Sequence, residues 1–145
     1  MRAGAVLSLH RQHPCSVDPV PVAKENAEVL PLTAELMKHW TGLFLGEIGD
    51  PQDYRISPLL AKDHRNLPPA LIVTAECDVL RDEGRAYSDA LEVAGNQVDH
   101  LELPGMIHGF IELPVALPGT AWVMERATTF IRRQFGLPLL AQAQA

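Results

Sequence analysis

A chain of 145 residues in which 47% are hydrophobic is sized and stocked for one globular domain. Its formal net charge of −6 is dispersed, with no run of Lys or Arg to track a phosphate backbone, so nucleic acid is excluded as an expected partner. No segment approaches the ~20 apolar residues of a membrane span. The two cysteines, Cys15 and Cys77, lack a CxxC spacing and fit a reduced, cytoplasmic compartment.

The chain opens like a short signal peptide but lacks a small-x-small cleavage site. Residues 3–9, with Val6, Leu7 and Leu9, predict a short buried strand. Pro14, Pro19 and Pro21 exclude a helix from the following stretch and leave an extended linker. His10, His13 and Cys15 offer three potential ligands but no fourth, so no metal site is expected there. Over residues 33–45 the apolar positions Leu36, Met37, Trp40, Leu43, Phe44 and Leu45 recur at helical spacing, predicting an amphipathic helix that starts near Thr33 and stops at Gly46.

Residues 70–75, opened by Pro68-Pro69, form a continuous and partly β-branched apolar run, the pattern of a strand covered on both faces in a parallel sheet. A helix is expected over 82–94, with Ala86, Tyr87, Ala90, Leu91 and Ala94 on one face and Gly95-Asn96 as its stop. Alternation over 98–103 predicts a further strand, with an irregular segment after Pro104-Gly105. A closing helix over 120–135 turns Trp122, Val123, Ala127, Phe130 and Ile131 to one side. This order predicts a βαβ unit in a parallel sheet.

In open parallel sheets, reactive groups gather at the carboxyl ends of strands, where loops shape a crevice over a rigid base. One such end carries Ala75-Glu76-Cys77-Asp78-Val79-Leu80-Arg81-Asp82-Glu83-Gly84, and the next carries Leu103-Pro104-Gly105-Met106-Ile107-His108-Gly109-Phe110. An acid and a histidine are thereby set to meet. Asp82 competes with Asp78 as the partner of His108, and stands closer to the helix start as a cap. Glu76 and Glu83 read as solvated or paired with Arg81 or Arg85, Cys77 as a small buried side chain.

These two blocks resemble the Asp and His blocks of hormone-sensitive-lipase-like esterases, and Ser57-Pro58-Leu59-Leu60-Ala61 with Leu67-Pro68-Pro69-Ala70 resembles the lead-in. The resemblance covers about residues 24–136. It implies an α/β fold, a partial α/β-hydrolase with C-terminal parallel strands, flanking helices and part of a helical cap. It assigns residues 16–60 to a linker and cap-like region, 61–136 to the C-terminal sheet, and 137–145 to a frayed tail. Asp78 becomes the acid and His108 the general base of a Ser-His-Asp mechanism. The implied reaction is hydrolysis of carboxylic esters with small or medium apolar acyl groups, without metal or organic cofactor.

The same family carries an HGGG-type loop and a GxSxG elbow, and neither occurs in these 145 residues. Ser8, Ser16, Ser57 and Ser88 are not flanked by glycines, so no nucleophile is assigned. The chain is expected to be the later part of a hydrolase whose N-terminal half is missing, with little turnover of its own. One candidate partner is that missing half; the resemblance implies a second copy as another, through residues 120–135, whose apolar stripe is equally explained by packing on the sheet. The competing expectation is a non-catalytic remnant or interaction protein that binds through an exposed sheet edge.

Overall fold

The computed structural model describes residues 6–9, 24–47, 49–113, 117 and 119–139. Among the described residues three parallel strands, β1 (Val6–Leu9), β2 (Ala70–Cys77) and β3 (Val98–Ile107), form one sheet in the order β1-β2-β3. Ala70 pairs with Val6 on one side and with Val98 on the other, which makes β2 the central strand. Among the same residues the sheet is accompanied by the α-helices α1 (Ala34–Leu45), α2 (Arg81–Val93) and α3 (Gly119–Gln134).

Every side chain from Ala70 to Ala75 is buried, because β2 is covered on both faces. Ala70 and Ile72 pack with Leu91 of α2, joined by Tyr87 and Val98. Leu71, Val73 and Ala75 point the other way, into a larger cluster with Val123, Ala127 and Phe130 of α3 and with Phe110. The period of two thus divides a uniformly apolar run between two layers. The expected partial α/β-hydrolase sheet with flanking helices is present.

α1 begins where Thr33, as N-cap, accepts a hydrogen bond from the Leu36 N–H at 3.2 Å. Its burial departs from a simple core helix. Met37 alone is fully buried, against Val79 and Leu80, while Trp40, Leu43 and Phe44 remain more than half exposed. On α3 the expected stripe holds at Val123, Ala127 and Phe130 but not at Trp122, which is 52% exposed. Trp122 directly precedes fully buried Val123, and adjacent helical positions point about 100° apart.

β3 also runs further than alternation indicates, to Ile107 rather than ending near Leu103. Its pairing with β2 passes from Ala75↔Leu103 to Cys77↔Ile107, so four steps along β3 match two along β2. The surplus residues form a bulge that contains Pro104, which has no N–H to contribute to a ladder. Residues 3–5, the linker with His10, His13 and Cys15, and 140–145 lie outside the described residues.

Truncating a side chain in the two-sided core should cost far more than truncating one on its surface. Leu71→Ala, at a position with no exposed area, is expected to lower the unfolding free energy by about 2–5 kcal/mol. Val93→Ala, on a residue 90% exposed, should change it by less than about 0.5 kcal/mol. Urea denaturation of the two variants would check this, and equal losses would contradict the layering.

Candidate active site

Asp78 follows directly on β2 and His108 directly on β3. Because these strands are parallel neighbours, both residues emerge at one edge of the sheet. His108 Nδ1 and Asp78 Oδ2 stand 2.8 Å apart, with the side chains 11% and 6% exposed. An ionised carboxylate can only accept, so the Nδ1–H donates and the lone pair of a neutral ring falls on Nε2. The bond lies within the range of ~2.6–3.2 Å expected of a working acid and base pair.

Asp78 is satisfied on several sides. Its Oδ1 accepts the Leu80 N–H at 2.9 Å, and its backbone carbonyl accepts the Arg81 N–H at 3.1 Å. The carboxylate therefore closes the turn into α2 with one oxygen and holds His108 with the other. Asp82 does not take the capping role expected of it: it lies inside the first turn of α2, and its Oδ1 accepts from Arg81 Nε and Arg85 Nη1. A carboxylate already occupied by two guanidinium groups is not the partner of His108.

The histidine loop has its own supports. Gly109 adopts φ 71° in the left-handed region, where a Cβ would be strained, and so reverses the chain directly after His108. Thr120 Oγ donates to the Phe110 carbonyl at 3.2 Å, tying that turn to α3. On the other side Glu76 Oε2 accepts the Gly105 N–H at 2.6 Å, filling a donor that the bulge exposes. Glu76 is therefore neither simply solvated nor paired with an arginine through its carboxylate. Cys77 between them is a free thiol and only half-buried.

His108 and Asp78 open on a cleft of about 1050 Å³ whose walls include Trp40, Leu43 and Phe44 of α1. Phe110, Ile111, Leu113 and Met124 continue the apolar lining. The exposed face of α1 is thus a wall of the cleft that holds the acid and histidine pair. Ser57 and Ser88 do not line it: both are buried elsewhere, and Ser57 Oγ donates to the Pro51 carbonyl at 2.8 Å. Among the described residues no cluster of three His, Cys, Asp or Glu side chains is placed to hold a metal, and no helix is long and apolar enough to cross a membrane.

A residue absent from the sequence reading also reaches the acid loop. Asn26, in a short 3-10 turn (Lys24–Asn26), is 5% exposed and donates through Nδ2 to the carbonyls of Glu76 at 2.8 Å and Asp78 at 3.1 Å. It lies in a polar stretch with no periodic pattern. Nothing local marks it, since its partners are 50 and 52 residues away.

A parallel sheet with helices on both faces, and an acid and a histidine at adjacent strand ends, defines the class: an α/β hydrolase. Residues 12–112 match the alpha/beta hydrolase fold family, and the chain belongs to it, on the hormone-sensitive-lipase-like esterase and lipase branch. It is 52% identical over 64 residues to the carboxylic ester hydrolase LipN of Mycobacterium tuberculosis, covering 44% of this chain and 17% of LipN. Carboxylesterase NlhH of the same organism is 30% identical over 118 residues, covering 79% of this chain and 37% of NlhH. A hyperthermophilic esterase from Pyrobaculum calidifontis superposes with a TM-score of 0.76 at 30% identity, over 85% of this chain and 40% of the esterase. The chain thus spans between about a sixth and two fifths of the length of these relatives.

Glu25 makes the link between the 3-10 turn and the acid loop sensitive to pH. Its carboxylate accepts from Arg81 Nη2 at 2.7 Å, and that hydrogen bond, helped by the arginine's charge, lowers its pKa below the usual glutamate value. A lowered folded value means the contact stabilises above the unfolded pKa of ~4.3 and is lost as pH falls through the folded value. Amide exchange at residues 24–26, corrected for intrinsic rates, should therefore show more frequent opening across that acid window. Glu25→Gln should abolish the pH dependence, and an unchanged profile in the variant would contradict the link.

Proposed function

We propose that Asp78 and His108 serve the hydrolysis of carboxylic esters, with His108 as general base and Asp78 as the acid that orients it. The observation that carries the reading is the 2.8 Å bond between two nearly buried side chains at neighbouring strand ends. In this reading Nε2 takes the proton of a serine hydroxyl as the oxygen attacks the ester carbonyl. The resulting imidazolium, stabilised by Asp78, gives that proton to the departing alcohol. Water then attacks the acyl-enzyme with the same assistance, releasing the acid and regenerating the serine. No step calls for a metal or an organic cofactor.

The serine and the oxyanion-hole donors lie outside this sequence, which has neither GxSxG nor an HGGG-type loop. They would come from a segment such as the one by which the relatives exceed this chain in length. The apolar walls of the cleft support small or medium apolar acyl groups as substrate, with α1 acting as part of a cap over them.

The chain by itself is expected to hydrolyse aryl esters no faster than background. Substituted for the matching segment of the Pyrobaculum calidifontis esterase, it should restore aryl-ester turnover. In that chimera His108→Ala and Asp78→Asn should each lower kcat by roughly 10⁴-fold. A folded, active chimera indifferent to both substitutions would reject the assignment and leave an interaction protein as the better description.

A further inference from the structure

Among the described residues β1 pairs with β2 from Val6↔Ala70 to Leu9↔Val73, and Asp78 stands further along the same chain. Among the described residues, β3 flanks the central strand beyond Val73, and the side chain of Asn26 reaches the exit segment from a distant part of the chain. Its partners at 2.8 and 3.1 Å are both carbonyl oxygens, of Glu76 and of Asp78, so the group facing them is the amide NH2. Both protons of one planar group are thus committed to two carbonyls that flank Cys77. Fixing those two peptide groups fixes the backbone on either side of the turn that aims the Asp78 carboxylate.

The alternative is that Asn26 merely satisfies carbonyls that would otherwise be stranded. Their other bonds argue against it. The Glu76 carbonyl also accepts from Arg81 Nη1 at 3.1 Å, and the Asp78 carbonyl also accepts the Arg81 N–H at 3.1 Å. Removing the Asn26 amide would leave neither oxygen without a donor, so the large penalty for stranding a buried polar group does not arise. What would be lost is a two-pronged restraint from a side chain 5% exposed, buried at the Asp78 carbonyl and partly buried at that of Glu76.

We infer that Asn26 is a positioning residue for Asp78: its amide clamps the carbonyls of Glu76 and Asp78 and so holds the carboxylate against His108. The inference rests on the reading of Asp78 and His108 as an acid and base pair, and it concerns geometry that can be measured without substrate. The imidazole Nδ1–H donated to a buried carboxylate exchanges slowly with water and resonates downfield in proton NMR. Its line can be assigned in the 145-residue chain by its disappearance in His108→Gln.

Asn26→Ala should leave the chain folded and speed exchange of that proton by roughly tenfold, the factor expected when hydrogen bonds of ordinary net strength are lost. Thr33→Ala is the control, since it removes the α1 cap from the same part of the chain without touching the acid loop, and it should leave the line unchanged. Asn26→Ser keeps one donor and should fall between. If Asn26→Ala fails to fold, Asn26→Ser against Thr33→Ala decides: faster exchange in the serine variant alone supports positioning, and equal behaviour overturns it. A wild-type line that Asn26→Ala does not move overturns the role of Asn26 and leaves the pair intact. A wild-type chain with no such line overturns the pair itself.

Discussion

The hydrogen bond from His108 to Asp78 joins side chains 30 residues apart, and both belong to loops rather than to regular elements. Such a bond survives only where the surrounding structure has already removed the freedom of both loops, because the entropy of ordering them exceeds its own net worth. A hydrogen bond to a charged group contributes about 1.5–3 kcal/mol, whereas fixing each backbone residue costs about 1–2 kcal/mol. The sheet accounts for most of that ordering. β2 and β3 run side by side into the two loops, and β2 is itself immobilised by burial on both faces.

The remaining restraints are polar and local, and they are unequal in kind. On the acid side, Asp78 accepts the N–H of Leu80, the N-cap of α2, while Asn26 grips its carbonyl from a distant segment. On the histidine side, the bulge in β3, the left-handed Gly109 and the bond from Thr120 to Phe110 set the direction of the loop. Buried restraints such as Asn26 and Thr120 compete little with water. Glu76 is exposed, and its bond to Gly105 is correspondingly less protected.

What the sequence made legible follows from which signals are periodic. The apolar run of β2 and the acid and histidine blocks are dense local patterns, and they stand on the strand and at the strand ends where they were expected, whereas on α2 only Leu91 of the expected face is fully buried, beside Gly84 and Ser88. The bulge was not visible, because Pro104-Gly105 looks the same whether it ends a strand or interrupts one. Asp78 rather than Asp82 closes the turn into α2, a choice set by one turn's backbone path and not by proximity to the helix. Asn26 left no trace at all, since a lone asparagine in Lys24-Glu25-Asn26 gains its meaning only through contacts made 50 residues later.

The cleft unites these features through dielectric. Leu36, Trp40, Leu43 and Phe44 present apolar surface beside a carboxylate and an imidazole. Apolar surface strengthens electrostatic contacts where it excludes water, and for the same reason it makes an unsatisfied polar atom expensive. A buried carboxylate can sit beside that surface because each of its oxygens already has a donor, from Leu80 and from His108. The imidazole differs, because holding Nδ1 against Asp78 leaves Nε2 as the nitrogen free to accept a proton. The packing that makes α1 unsuitable as an ordinary core helix therefore matches the polarity of the pair it overlooks: apolar on the cleft side, hydrogen-bonded behind it.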